Sequence, residues 1–245
     1  MSYPVSLEDL MLRSRQRANL EEDGASEPPF IYDTELIGHI NTSLATWWDL
    51  VRGSTFNGTQ FRKRANFTTT VADNSVTYSP PPGSFYPLPK DFLSLYSVDV
   101  SGPGGLALTA RAFQEEQRNA FKFYPFGAWT LGTPVLYQLQ GPNIVFIPAP
   151  LGEYQVQLNY CPTAPQLTRP DQCFDSINAL DEFIVLDVAI KLLTKDGQTD
   201  IIPLLAAERD REEKRIKAMV PKRDQNQSEM VHEYGSPLDY YDFWS

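Results

Sequence analysis

Cysteine, histidine and basic charge are all scarce in this sequence. Its 245 residues include 2 Cys and 2 His, and 21 Lys and Arg stand against 31 Asp and Glu, for a formal net charge of -10 at pH 7. Because contacts to phosphate need clustered Lys and Arg, this balance argues against broad binding to nucleic acid. Cys161 and Cys173 lack metal-ligand spacing and are predicted to be free thiols.

Long hydrophobic runs are missing as well. No apolar stretch approaches the roughly 20 residues that a membrane-spanning helix needs. The first residues, "MSYPVSLEDLM", lack the basic segment and the apolar stretch of a secretory signal. We therefore expect a protein that is made in a cytoplasm and has no membrane partner.

Signatures of catalysis are also absent. The chain has no G-x-S-x-G, H-E-x-x-H, C-x-x-C or G-x-x-x-x-G-K-[ST] pattern. One histidine, His39, falls in a predicted helix and the other, His232, in a polar C-terminal segment, which does not favour a hydrolase triad. We predict that the protein is not an enzyme and that it has no metal or cofactor site.

Two helices are predicted near the N-terminus. In "SLEDLMLRSRQRANLEED", Ser6 is a candidate N-cap with Asp9 three residues later, and an apolar face follows. In "DTELIGHINTSLATWWDLVRG" an apolar stripe recurs at helical spacing. Neighbouring helical positions point in different directions, so Trp47 and Trp48 cannot both enter one core. One of them is predicted to contact another subunit or a β-domain.

The pattern changes to short β-type runs between residues 55 and 165. Runs such as "LSLYSVDVS", "NIVFIP" and "EYQVQLNY" alternate with turn signals such as "PPPGS" and "GPGG". These runs predict an antiparallel β-domain, either a sandwich or a barrel. Within it, "AFQEEQRNAF" at residues 112–121 is predicted to be a single helical excursion.

Helical periodicity returns after residue 165. "NALDEFIVLDVAIKLLTKDG" is apolar on nearly every side and predicts a buried helix. Within it, Asp187 must find a hydrogen-bond partner, a wetter stripe or a subunit interface. The following "TDIIPLLAAERDREEKRIKAMV" predicts a second helix with the i,i+4 pairs Asp210 to Lys214 and Glu213 to Lys217.

These segments predict an α+β fold in which N- and C-terminal helices form one bundle around an inserted antiparallel β-domain, followed by an extended C-terminal tail. The predicted boundaries are 1–54 and 166–220 for the two parts of the bundle, 55–165 for the β-domain and 221–245 for the tail.

Two charged segments leave alternatives open. "RSRQR", residues 13–17, could contact DNA or an acidic partner, or could form a solvated or internally paired helix face. "ERDREEKRIK", residues 208–217, is predicted to be either a solvated face or a subunit contact. From the second segment, Arg209 and Glu213 join Trp47, Trp48 and Asp187 as candidate subunit-interface residues.

The last residues combine polarity with aromatic side chains. "VPKRDQNQSEMVHEYGSPLDYYDFWS" has few apolar residues before Tyr240, and then Tyr241, Phe243 and Trp244 follow closely. Aromatic side chains of this kind usually bury against a surface. The segment is predicted to be a disordered arm that becomes ordered on a partner, with a tail folded onto its own β-domain as the alternative.

The order and spacing of several packing patterns resemble the head-to-tail adaptor proteins of tailed bacteriophages, also called head-completion or connector proteins. The patterns are "YPLPKDFLSL", "IPAP" followed by "YQVQLNY", and "DEFIVLDVAIKLL", together with "LRSRQRAN", "TELIGHINTSLATWWDLV" and "LLAAERDREEKRIKAMVPKRD". This resemblance implies a helical bundle with an inserted β-domain, assembled as a twelve-fold ring under the portal. It also implies that the ring continues the DNA channel and carries the tail.

The same resemblance implies partners and a location. We expect a homo-oligomeric ring at the head-to-tail interface of the virion, in contact with the portal protein and with a tail or nozzle protein. DNA would pass through an acidic lumen without specific binding. The portal is the expected partner of the C-terminal aromatic residues, with a neighbouring adaptor subunit as the alternative. A different class of function, an aromatic-rich carbohydrate- or ligand-binding module, also fits the composition.

Overall fold

The computed structural model describes residues 3–20, 31–54, 61–69, 85–102, 107–114, 136–147, 150, 152–176 and 179–223. Its fold is α+β, as the sequence predicts. In chain order the elements are β1 (Tyr3–Ser6), α1 (Leu7–Arg17), α2 (Asp33–Ser54), β2 (Lys63–Thr68), β3 (Phe85–Pro87), β4 (Phe92–Ser101), β5 (Ala107–Ala112), β6 (Leu136–Gln140), β7 (Asn143–Ile147), β8 (Gln155–Pro162), β9 (Cys173–Ser176), α3 (Glu182–Asp196) and α4 (Ile202–Arg223).

Local signals define the ends of α1 and α3. The Ser6 hydroxyl accepts a hydrogen bond from the backbone N–H of Asp9 at 3.1 Å, so Ser6 is the N-cap that the sequence predicts. Gly197 follows α3 with φ of 80°, a left-handed conformation that glycine adopts without a Cβ clash. The start of α1 and the end of α3 are therefore set by residues in the adjacent sequence.

The four helices share one hydrophobic core. Helix α3 contacts α1, α2 and α4, and α2 also contacts α1 and α4. Burial on several sides of α3 is confirmed by its fully or nearly fully buried residues, which are Phe183, Ile184, Val185, Leu186, Val188, Ala189, Leu192 and Leu193. Helices from both ends of the sequence thus exclude water from the same interior.

Strands β2 to β8 form a seven-stranded sheet in the order β2-β8-β4-β5-β6-β7-β3. The sheet is mixed, because β5 and β6 pair in parallel while the other neighbours are antiparallel. The prediction of an entirely antiparallel domain is therefore corrected at this pair. A parallel pair needs a long connection, and residues 113–135 separate these strands, whereas turn signals report only local hairpins.

The sheet buries one of its faces around a second core. Along β8, Val156, Leu158 and Tyr160 belong to this core, while Gln157 and Asn159 lie on the opposite face. Strands β2 and β3 lie at the two edges of the sheet. Within the described strands, the arrangement is one curled sheet rather than the predicted sandwich or closed barrel: β2 and β3 are not hydrogen-bonded to each other, but Phe67 of β2 stacks on Tyr86 of β3 with centroids 5.2 Å apart.

A separate two-stranded sheet joins distant parts of the sequence. Strands β1 and β9 pair antiparallel from Tyr3 opposite Ser176 to Ser6 opposite Cys173. This pairing places the start of α1 beside the segment that leads into α3, and Leu7 donates its N–H to the carbonyl of Gln172 at 2.9 Å. Both strands fall within the parts of the chain predicted to be helical, residues 1–54 and 166–220, so the prediction is corrected at these two strands.

Two further predictions meet the structure only in part. The helix predicted at residues 112–121 begins at Ala112, which is the last residue of β5, and residues 115–121 lie outside the described chain. Helix α4 includes Pro221 and ends at Arg223, past the predicted boundary at residue 220.

Candidate assembly surface

The basic cluster on α1 is paired inside the chain. Arg13 donates to Asp181 at 2.6 Å and to Glu182 at 2.7 Å, and Arg17 donates to Glu182 at 2.7 Å. Arg15 contacts Asp33 at 2.6 Å. Of the alternatives for "RSRQR", the internally paired helix face is the one observed for these three arginines.

Glu182 on α3 accepts hydrogen bonds from both Arg13 and Arg17 on α1. Burial alone raises the pKa of Glu182, but hydrogen bonds from Arg17 and Arg13 outweigh that effect and hold the pKa below its ordinary value. The contact therefore joins the N-terminal helix to α3 through charged groups as well as through the shared core.

Asp187 joins three helices. Its Oδ2 accepts from the Ser43 hydroxyl of α2 at 2.7 Å and lies 2.8 Å from Lys191 Nζ on α3. Its Oδ1 lies 3.2 Å from Arg209 on α4. Burial alone raises the pKa of Asp187. Interactions with Lys191, Ser43 and Arg209 outweigh that effect and hold the pKa below its ordinary value. The prediction that this carboxylate must find a hydrogen-bond partner is confirmed.

Arg209 and Glu213 lie on the partly exposed side of α4. Glu213 contacts Lys217 at 2.5 Å, which is the i,i+4 pair expected from the sequence. Asp210 instead contacts Arg209 at 3.4 Å, and its predicted contact with Lys214 is not formed. Exposed pairs of this kind contribute little to stability, so this face remains suited to contact with another chain.

Trp47 is fully buried in the helical core. Its indole N–H donates to the carbonyl of Leu180 at 2.9 Å, and its ring meets Phe174 edge-on with centroids 5.4 Å apart. The hydrogen bond satisfies the one polar group of the indole, as burial requires.

Trp48 is buried in the same helical core as Trp47, with ring centroids 6.5 Å apart, so the prediction that the two cannot both enter one core is wrong. Its indole N–H donates to the carbonyl of Pro162, the last residue of β8, at 3.1 Å. Its ring stacks on Phe61 with centroids 3.6 Å apart and an interplanar angle of 14°. Trp48 therefore makes the contact with the β-region that was one of the two alternatives. A contact of either tryptophan with another subunit stays a prediction.

The edge of the sheet at β2 was not recognised from the sequence. Lys63 on this strand lies 2.8 Å from Asp91, which also accepts a hydrogen bond from Tyr160 at 2.8 Å. Burial and the neighbouring Asp91 raise the pKa of Tyr160 to about 12. Arg62 and Arg64 flank Lys63 and are exposed. The signal was present in "FRKRANF", but only the sheet order shows that these residues lie at an edge.

Tyr240, Tyr241, Phe243 and Trp244 lie outside the described residues, so their role as partner-binding side chains stays a prediction. None of the described helices is both long and apolar enough to span a membrane. Among the residues that the structure describes, no group of three or more His, Cys, Asp or Glu side chains is arranged to hold a metal ion.

Within the described residues, ion pairs join the helices, and β2 and β3 are the two edges of the seven-stranded sheet. The family model of the SU10 adaptor protein matches residues 6–238, and the chain belongs to this family of phage adaptors. A structural virion protein that interacts with portal and tail components is what this family implies. No curated protein matches the chain.

Proposed function

We propose that this protein forms a ring that joins the portal to the tail of a bacteriophage and continues the DNA channel. The observation that carries the proposal is the family match over residues 6–238, which takes in the helices, the sheet and most of the C-terminal segment. The ring has twelve copies by the resemblance described above, and its tail-side neighbour is a tail or nozzle protein.

In the proposed subunit, the helices and the sheet have different roles. In this proposal the four helices act as one bundle, and the sheet is an inserted domain whose edges remain available for contact. Asp187 and the arginines of α1 fix the helices to one another. The partly exposed Arg209 and Glu213 on α4 remain the proposed positions at subunit contacts, whereas Trp47 and Trp48 are buried in the helical core.

Charge supports the proposed role as a DNA channel. The net charge of the chain is -10, and three arginines of the N-terminal basic cluster are already paired with carboxylates. An acidic lumen would let DNA pass without adhering to the wall, because like charges disfavour contact with the duplex.

The aromatic residues that pack in and around the sheet core give no support to a carbohydrate-binding platform. Phe67, Tyr86 and Phe146 pack against one another, and Phe92 stacks on Tyr160. These rings belong to or border the core of the sheet, where they stabilise packing instead of facing a ligand.

Native mass spectrometry of the full chain, alone and mixed with the portal protein of the same phage, tests the proposal. We expect a monomer alone, because the helical faces are charged and the C-terminal segment must be ordered on assembly, and a ring on the portal. Stable rings without portal would contradict templated assembly. A chain that stays monomeric with portal and binds glycans would contradict the adaptor function.

A further inference from the structure

Among the described strands, β2 is an edge of the seven-stranded sheet. It pairs with β8 over all six of its residues, from Lys63 opposite Tyr160 to Thr68 opposite Gln155. Among the described strands, none pairs with its other side. An open edge presents backbone N–H and C=O groups that can hydrogen-bond to one more strand.

The charge of this edge restricts what can pair with it. Arg62, Lys63 and Arg64 are consecutive and exposed, in a chain that is strongly acidic overall. Lys63 is paired with Asp91, and neither arginine has an ion-pair partner within the described chain. Two such edges would repel each other, because like charges on adjacent strands are destabilising, whereas an acidic strand would be attracted.

The core side of β2 offers a second kind of contact. Phe67 and Ala65 are half-buried at the margin of the sheet core, and Phe67 stacks on Tyr86 with centroids 5.2 Å apart. Side chains of a strand added beside β2 would lie next to these residues on that face. An aromatic side chain there would cover the part of Phe67 that the chain itself leaves exposed.

The C-terminal segment of the chain has the matching chemistry. Residues 238–244, "LDYYDFW", combine residue types that favour strands with two carboxylates, Asp239 and Asp242. No Lys or Arg follows Arg223, the last residue of α4. Residues 224–237 can span up to about 45 Å when extended, at about 3.3 Å per residue.

We propose that residues 238–244 of one copy add as a strand to the β2 edge of the adjacent copy in the ring. The inference rests on the proposed ring and decides between its two candidate partners for the aromatic end, the portal and a neighbouring subunit. The positive charge of Arg62 and Arg64 attracts the carboxylates of Asp239 and Asp242, which project from opposite faces of the added strand, and the backbone edge supplies the hydrogen bonds. Tyr241 and Phe243, which share the face of Asp239, cover the margin of the core at Phe67.

Photo-crosslinking tests this pairing in the full chain. The chain carries p-benzoylphenylalanine in place of Phe243, is prepared with ordinary and with ¹⁵N nitrogen, and is mixed before assembly on portal. We expect crosslinks to residues 61–69 that join one ordinary and one ¹⁵N chain. Crosslinks confined to single chains, to the portal or to the helices would overturn the inference while leaving the ring intact. Failure to form any portal complex would overturn the proposed function and this inference together.

Charge reversal separates pairing from general loss of structure. Arg62→Glu with Arg64→Glu should reduce the yield of the crosslink at least about tenfold, and adding Asp239→Arg with Asp242→Arg should restore most of it. The control, Arg111→Glu with Arg211→Glu, makes the same change in net charge at exposed positions on β5 and α4 and should leave the yield unchanged. Absence of rescue, or equal loss in the control, would overturn the pairing of these charges.

Discussion

The helical region and the sheet of this protein differ in how completely their elements are paired within the described chain. The helices close around one core and are fastened by charged contacts between residues far apart in sequence, including Arg13 with Asp181 and Asp187 with Ser43. The sheet has its own core but ends in strands β2 and β3, each with one described neighbour. Under the proposed function, the helices are the stable body of the subunit and the edges of the sheet are the candidate contacts for assembly.

The largest effect on stability is expected from truncating the centre of the helical body. Trp47→Ala removes a fully buried ring and its hydrogen bond to Leu180, and should lower the free energy of unfolding by about 3–5 kcal/mol. Chemical denaturation measures this change. Leu204→Ala, at a side chain that is 62% exposed, is the control and should change it by less than about 0.5 kcal/mol. Similar losses for both variants would contradict the assignment of the core.

A smaller loss is expected when the junction of three helices is broken. Asp187→Leu leaves Ser43, Lys191 and Arg209 without their shared acceptor, and should destabilise the monomer by about 1–3 kcal/mol in thermal or chemical unfolding. Asp210→Leu, which removes an exposed carboxylate, should have little effect. If Asp187→Leu preserved monomer stability and altered only assembly, the residue would belong to a subunit contact instead.

Acid should weaken the helical body through Glu182 and Asp187. Both carboxyl groups have folded-state pKa values below their ordinary values of 4.5 and 3.8, so they stabilise the fold above those values and lose that contribution as the pH falls through the lower folded-state pKa values. The melting temperature should therefore fall below about pH 4.5. Glu182→Gln combined with Asp187→Asn should flatten this dependence, while Glu213→Gln should not. A parallel fall in wild type and the double variant would contradict this explanation.

The smallest effect on the free subunit is expected from the C-terminal end. Deleting residues 236–245 should leave the melting temperature nearly unchanged, because these residues are proposed to bind outside their own chain, and should severely weaken attachment to portal-containing heads. Calorimetry and a head-attachment assay measure the two effects. A large loss of monomer stability with normal attachment would show that the tail completes the core of its own chain.

Sequence reasoning succeeded where the causes are local. The cap at Ser6 and the buried helix α3 follow from short patterns and from helical periodicity. It failed where partners are remote. Strands β1 and β9 are four residues each and are separated in sequence by residues 7–172, so neither carries a local signal strong enough to predict their pairing.

The candidate site divides in the same way. A buried carboxylate at Asp187 could be expected to need a partner, but nothing local identifies Ser43 on α2 or Arg209 on α4 as that partner. Likewise, three consecutive basic residues at Arg62 to Arg64 acquire meaning only once the strand order places them at the edge of a sheet. The sequence identified which residues were unusual, but the residues that they contact depend on how the chain folds.

The central claim, that this protein joins head to tail, is tested most directly by removing it from the phage that encodes it. Electron microscopy of particles made without this protein should show heads that lack tails and have lost their DNA, and supplying the full chain in trans should restore tailed, infectious particles. Complete tailed virions formed in its absence would contradict the account.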